Sequence, residues 1–251
     1  MRKTFYALVS SAVALSGSLT TLSAERNAWY VGASYQVGQA GQTITNKSGN
    51  PLLQIHTLPT GTYHYLAVMQ GLGVSVGYKQ FLGKKKWFGL RYYGFFDYGH
   101  AVFGANALTC PSGTTMSSVS TPTAGGASPC PAVANLSDMF TYGVGIDTLY
   151  NVINKQDVTF GFFFGAAIAG NSWGNTTKHF MVERGLGGKI DPAIFQFLFN
   201  AGLRTAIGKH QEFDFGVKIP TINDYYFYSK EGLAFTYRRQ YSLYAGYRYN
   251  F

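Results

Sequence analysis

The chain has 251 residues and a formal charge of +9, with 17% aromatic but only 12% charged residues. An ordinary soluble domain carries about twice that charged share. The longest basic run is Lys84-Lys85-Lys86, too short for the blocks of like charge that mark nucleic-acid binding.

The first residues have the three-part layout of a secretory signal. Arg2 and Lys3 form a basic start, Phe5 to Leu15 is apolar, and Leu22-Ser23-Ala24 ends on a small residue. The apolar stretch is too short to cross a bilayer as a helix, which needs about 20 residues. Residues 1–24 are therefore expected to be a cleaved signal peptide and 25–251 one domain. Removing 1–24 takes away Arg2 and Lys3 and no acid.

From there a two-residue alternation dominates, the mark of strands with two unlike faces. Trp29, Val31, Ala33 and Tyr35 oppose Tyr30, Gly32 and Ser34. Leu72, Val74, Val76 and Tyr78 oppose Gly73, Ser75 and Gly77. Phe88, Leu90, Tyr92 and Phe96 oppose Gly89, Arg91 and Asp97. Tyr142, Val144 and Ile146 oppose Gly143, Gly145 and Asp147. Val158, Phe160, Phe162 and Phe164 oppose Thr159, Gly161, Phe163 and Gly165. Phe195, Phe197 and Phe199 oppose Gln196, Asn200 and Arg204. Phe213, Phe215, Val217 and Ile219 oppose Asp214, Gly216 and Lys218. Last come Tyr241, Leu243, Ala245, Tyr247, Tyr249 and Phe251, facing away from Ser242, Tyr244, Gly246, Arg248 and Asn250.

Short polar connections (83–86, 154–157 and 208–211) alternate with longer ones near 39–66, 100–136, 171–193 and 225–232. Bacterial outer-membrane barrels have short periplasmic turns, long outer loops and an even strand count. The fold class expected is all-β, an eight-stranded antiparallel transmembrane β-barrel in the bacterial outer membrane, with both chain ends on the periplasmic side. A β-sandwich is the runner-up; it would need a wetter outer face than these Phe and Tyr rows offer.

Several residues are candidates for specific roles. Cys110 and Cys130 are the two cysteines, both in the longest loop; in an oxidising compartment such a pair reads as a structural disulfide. Arg91, Asp97, Asp147, Arg204, Asp214, Lys218 and Arg248 have inward parity and should face the lumen. They either pair and fill it, since a buried unpaired charge is costly, or line a narrow channel. Eight-stranded interiors are just wide enough for side chains, which favours filling. Arg239 has outward parity near the outer rim, where a guanidinium suits a lipopolysaccharide phosphate. Gly170-Asn171-Ser172-Trp173-Gly174 matches G-x-S-x-G, yet no clear helix follows as a nucleophile elbow requires; Trp173 reads instead as an outer-interface anchor. The histidines show no metal-ligand spacing. No catalytic residue, metal or cofactor is expected.

The segments Trp29–Ala40, Phe88–Ala101, Thr141–Asn154, Ala169–Trp173, Phe195–Arg204, Val217–Asn223 and the terminal RRQYSLYAGYRYNF resemble the Helicobacter outer-membrane protein (Hop and Hop-related) family. The resemblance implies an outer-membrane barrel. It also implies that the terminal aromatics Tyr249 and Phe251 form the signal read by the barrel-assembly machinery. Some larger family members bind host glycans or receptors through a long helical region near the start of the barrel. This chain has only residues 39–66 at that place. The function expected is a non-enzymatic integral outer-membrane protein whose barrel presents surface loops, in contact with membrane lipid and lipopolysaccharide. Adhesin-like recognition of a host glycan or receptor through loops 39–66 and 100–136 is one alternative, and a narrow channel is another.

Overall fold

The period-two segments fold as strands, and the sheet they build has no free edge. A computed structural model describes residues 25–47, 60–83, 85–103, 135–155, 157–175, 189–229 and 232–251. In chain order the strands are β1 (Ala28–Asn46), β2 (Gly61–Leu82), β3 (Phe88–Phe103), β4 (Asn135–Asn154), β5 (Val158–Asn175), β6 (Lys189–Ile190), β7 (Ala193–Ile207), β8 (Gln211–Pro220), β9 (Asp224–Tyr228) and β10 (Leu233–Asn250). The eight long ones pair antiparallel in sequence order, and β10 returns to pair with β1. This is the eight-stranded closed barrel expected from the sequence. Closure gives each of the eight long strands a partner on both sides, as lipid requires, because hydrocarbon offers unpaired N–H and C=O groups no partner. β6 and β9 are short additions at the long-loop end, with β9 pairing to both β6 and β10.

The seam joins the two ends of the chain. Tyr30 lies opposite Asn250, and the Phe251 N–H donates to the Trp29 carbonyl at 2.9 Å. Trp87, Asp157 and His210 share that end of the barrel: Asn151 N–H donates to Trp87, Gly208 to Asp157 and Asn250 to His210. Gly83 and Gly208 take the left-handed backbone region (φ 74° and 61°), which costs a residue without Cβ little.

Outward rows are apolar and exposed, from Trp29, Val31 and Tyr35 through Val68 (71% exposed) and Phe215 (63%) to Phe251. That is the band a bilayer covers. Only about 9–11 residues per strand are needed to cross it, yet β1 has 19 residues and β2 has 22. The strands therefore run past the band. Segments 39–46 and 61–66, expected as loop, are strand, and so are 100–103, 171–175 and 225–228. Their alternation continues with Thr43, Thr45, Thr62 and His64 outside in place of apolar residues, which is why they read as loop.

Bulges in β10 and β4 also break the parity count. In β10, Tyr241 pairs with Gln39 and Arg239 with Ala40, so Gln240 is the extra residue. An unpaired residue of this kind reverses the faces beyond it. Arg239, expected to face outward, points into the barrel and is 3% exposed, while Arg238 is outside and exposed. This removes Arg239 as a lipopolysaccharide contact. The second bulge, at Val152 in β4, leaves both Val152 and Ile153 exposed near the short-turn end. Trp173 is corrected too. It is 3% exposed and stacks inside the barrel on Tyr237, with ring centroids 4.9 Å apart.

Tyr249 and Phe251 are both exposed on the outer wall at the seam, in edge-to-face contact at 5.4 Å. Replacing Phe251 with Ser puts a hydroxyl in place of that ring at the lipid boundary and removes its contact with Tyr249. The expected outcome is a lower yield of heat-modifiable barrel on semi-native gels; wild-type yield would exclude a role for this side chain in assembly.

Candidate functional site

The lumen is the chemically dense part of the molecule. Small inward residues leave room for a few large ones: a Cβ at Gly202 would come 2.6 Å from the Phe163 ring, and one at Gly216 2.9 Å. Phe163 is fully buried there with Phe81, Leu149 and Tyr244. Around these rings stand six basic side chains, Lys79, Arg91, Arg204, Lys218, Arg239 and Arg248, and five acidic ones, Glu25, Asp97, Asp147, Glu212 and Asp214.

They form two groups. In the lower one Glu212 meets Arg91 at 3.3 Å, Arg204 at 3.3 Å and Arg248 at 3.7 Å, and it accepts a hydrogen bond from Lys79. Arg91 donates to Asp147 through Nε (2.9 Å) and Nη2 (2.5 Å), and to Asp214 through Nη1 (2.9 Å). Arg248 pairs with Asp214. Arg204 donates to Asn151 at 2.7 Å and to Glu25 at 2.6 Å. Higher up, Lys218 donates to both oxygens of Asp97 (2.9 and 2.7 Å), and Gln36 donates to the same carboxylate at 2.6 Å. Arg239 approaches Asp97 at 3.9 Å. Tyr93 and Asn200 extend the lower group, both donating to Asp147. Aromatic faces add to the packing: the Arg91 guanidinium lies 4.7 Å from the Phe163 centroid and Lys218 5.1 Å from Phe95, within cation–π range.

The seven lumen charges named from the sequence thus lie in this network. Lys79, Glu212 and Glu25 were missed. Lys79 and Glu212 share the inward parity of Gly77 and Asp214, but each falls at a strand end beside a turn, where alternation was not followed. Glu25 precedes β1; its carboxylate reaches Arg204 while its carbonyl accepts from Lys86. Asn27 accepts from the Phe81 N–H at 2.7 Å. Residues 25–27 therefore cross the short-turn mouth.

The space left between these groups is a cavity of about 30 Å³ lined by Tyr93, Asp97, Asp147, Lys218, Tyr244 and Arg248 among others, room for roughly two waters. Toward the long-loop end the filling changes character. Ile44, Met69, Phe103, Met139, Trp173, Tyr226, Phe227, Phe235 and Tyr237 pack as one buried apolar cluster. Gln42 donates to the Tyr237 hydroxyl at 2.8 Å. Gln196 clamps the start of the β8–β9 link: its amide donates to Ile222 O, and its carbonyl accepts from the Thr221 and Ile222 N–H groups.

Ser172 of the G-x-S-x-G match lies inside the uninterrupted strand β5, its Oγ 3.4 Å from the Tyr142 hydroxyl. A nucleophile elbow needs a strand-to-helix turn, which this position lacks. Cys110 and Cys130, and the signal segment 1–24, lie outside the described residues.

A family model for the Helicobacter outer membrane protein matches residues 73–251. No curated protein matches the chain. Among solved structures, Neisserial surface protein A is 16% identical, with 90% of this chain and 100% of that one covered at a TM-score of 0.35. OprG from Pseudomonas aeruginosa is 10% identical, covering 90% and 97% at 0.46. Ail of Yersinia pestis is 12% identical, covering 86% and 97% at 0.30.

Two outcomes follow from the geometry. Glu212→Gln leaves four basic side chains short of a buried counter-charge. Breaking buried pairs typically costs on the order of 3–5 kcal/mol, so the urea midpoint of the folded barrel should fall, and an unchanged midpoint would exclude Glu212 as a tie. The second concerns Asp224, above the apolar band and opposite Tyr237. Burial first, and the nearby Asp191 charge second, push its carboxyl up to about 7, against a smaller opposing effect of Asn171. A carboxyl raised in the docked state favours docking most at low pH. That advantage is full below about pH 4, the free carboxyl value, and is lost as pH rises to about 7. Amide exchange in β9 should accelerate from pH 4 to 7 after correction for intrinsic rates, and Asp224→Asn should flatten the profile.

Proposed function

The chain belongs to the Helicobacter outer membrane protein family, and on that footing we propose that it is a non-enzymatic, closed barrel whose task is to present its surface loops. It lies in the bacterial outer membrane. The observation that carries the reading is the filled lumen: paired charges occupy its lower part, an apolar aromatic cluster its upper part, and a cavity of about 30 Å³ remains between. An open ion path needs a continuous wet bore, which larger porins obtain from 16–18 strands. Within this reading the segment carrying Cys110 and Cys130, closed by their disulfide, belongs to the presented surface. Tyr249 and Phe251 are the signal for the barrel-assembly machinery.

A second reading makes the presented surface a recognition surface for a host glycan or receptor. It is favoured by strands that project well past the apolar band, so that what they carry stands clear of the membrane. Two measurements test these readings. In planar bilayers the purified barrel is expected to give no steady conductance; reproducible unitary steps would overturn the closed-barrel reading in favour of a narrow channel. A variant in which 104–134 is replaced by a short Gly-Ser link keeps β3 and β4 and is expected to fold. If it binds host glycans as the parent does, the long segment is not a recognition surface.

A further inference from the structure

The bulge at Gln240 separates two adjacent arginines, sending Arg239 into the lumen and Arg238 onto the outer wall. On that wall Arg238 stands opposite Gly41, and Gly41 stands opposite Leu66 on its other side. Gly41 has no side chain to fill the row. Gly41 is buried, and a Cβ there would come 3.2 Å from the Gln240 amide nitrogen and 3.5 Å from Leu66, so those two side chains stand as the walls of a narrow notch over it. One row further out, Thr43 lies between His64 and Thr236, its hydroxyl 3.0 Å from His64 Nδ1. The ladder on the far side of β10 is interrupted as well. Pairing with β8 ends at Ser242 and pairing with β9 begins at Tyr237. The link Thr221–Asn223 spans that gap, and Asn223 forms the side of the notch.

The result is a lateral groove of about 280 Å³, smaller than the roughly 300–1,000 Å³ of pockets that enclose a whole ligand. Among the described residues its polar lining is the Arg238 guanidinium, the Gln240, Gln42 and Asn223 amides, the His64 ring and the Thr43, Thr236 and Tyr65 hydroxyls, with no carboxylate among them. A donor-rich, acid-free groove with one guanidinium selects an anion, and Arg matches phosphate oxygens bidentately. Position supplies the rest. Val68 and Tyr241, opposite Gln39 in the row just below, are exposed and belong to the upper edge of the apolar band. A molecule seated in the notch therefore has acyl-compatible wall directly beneath it.

We propose that this notch is a binding site for a phosphorylated headgroup of outer-leaflet lipopolysaccharide, with Arg238 as its anchor and Gly41 as its floor. The acyl chains lie against Val68, Leu66 and Tyr241.

Native mass spectrometry of the detergent-released, folded barrel tests this with lipid A, lipid A treated with phosphatase, phosphatidylglycerol and inorganic phosphate as probes. Lipid A is expected to stay bound. Arg238→Gln should lower its retention at least about tenfold, as loss of a charge-assisted contact does, with Arg238→Lys in between. Gly41→Leu should block the notch while keeping the charge. Arg238 is outward and exposed, so its variants should keep wild-type heat modifiability even if Gly41→Leu does not fold. Equal retention of lipid A by wild type and Arg238→Gln would overturn the site. Equal retention of dephosphorylated lipid A or of phosphatidylglycerol would overturn the headgroup assignment. Displacement of lipid A by micromolar inorganic phosphate would show a plain anion site instead.

Discussion

Glu212 is reached by basic side chains from four other strands: Lys79 on β2, Arg91 on β3, Arg204 on β7 and Arg248 on β10. A carboxylate so placed is expensive to bury alone and stable only while its partners stay in register. The constraint works both ways, since each cation is also stranded if Glu212 moves. Arg204 and Arg248 reach Glu212 from the strands that flank β8 in the ladder, whereas Lys79 and Arg91 tie β8 to walls that it never touches there. The barrel's cross-section is thereby set from inside, and the inward glycines are the other half of that arrangement. Without Gly202 and Gly216 the Phe163 ring could not sit at the centre, and the guanidinium of Arg91 would lose the face it lies on.

Much of this was legible in the chain because a strand has an exact two-residue period and the barrel has two chemically opposite sides. Arg91, Asp97, Asp147, Arg204, Asp214, Lys218 and Arg248 could be assigned inward from parity alone. Legibility failed where the period itself fails. An extra residue at Gln240 is invisible in a pattern of hydrophobicity, and it exchanged the roles of Arg238 and Arg239. Trp173 was misplaced for another reason: its residue type suggested an interface, although the count from Val158 put it inside. Strand ends were lost because the outward residues there are polar. Thr43, Thr45 and His64 face out while Ile44 packs inward, the reverse of the rows below, so the sequence reads as loop where the wall continues.

The two ends of the lumen are filled by different chemistry. Ion pairs occupy the part level with the bilayer, and rings occupy the part above it. An aromatic cluster excludes water without needing an exact register, and it suits a region where β6, β9 and irregular links replace a strict ladder. Charges need that ladder to hold their distances. Each filling therefore sits where the backbone around it can support it.

The seam between Trp29 and Phe251 has a consequence for the order of events in biogenesis. Ladder pairs between β1 and β10 join residues separated by nearly the whole length of the barrel, so loop-closure entropy must be met before they give anything back. No partial chain emerging in sequence order can complete the ring. Until the last strand is delivered, β1 carries a long open edge of the kind that pairs with stray strands. Closure of the ring therefore waits on β10, and until then the open edge of β1 has to be shielded from stray strands.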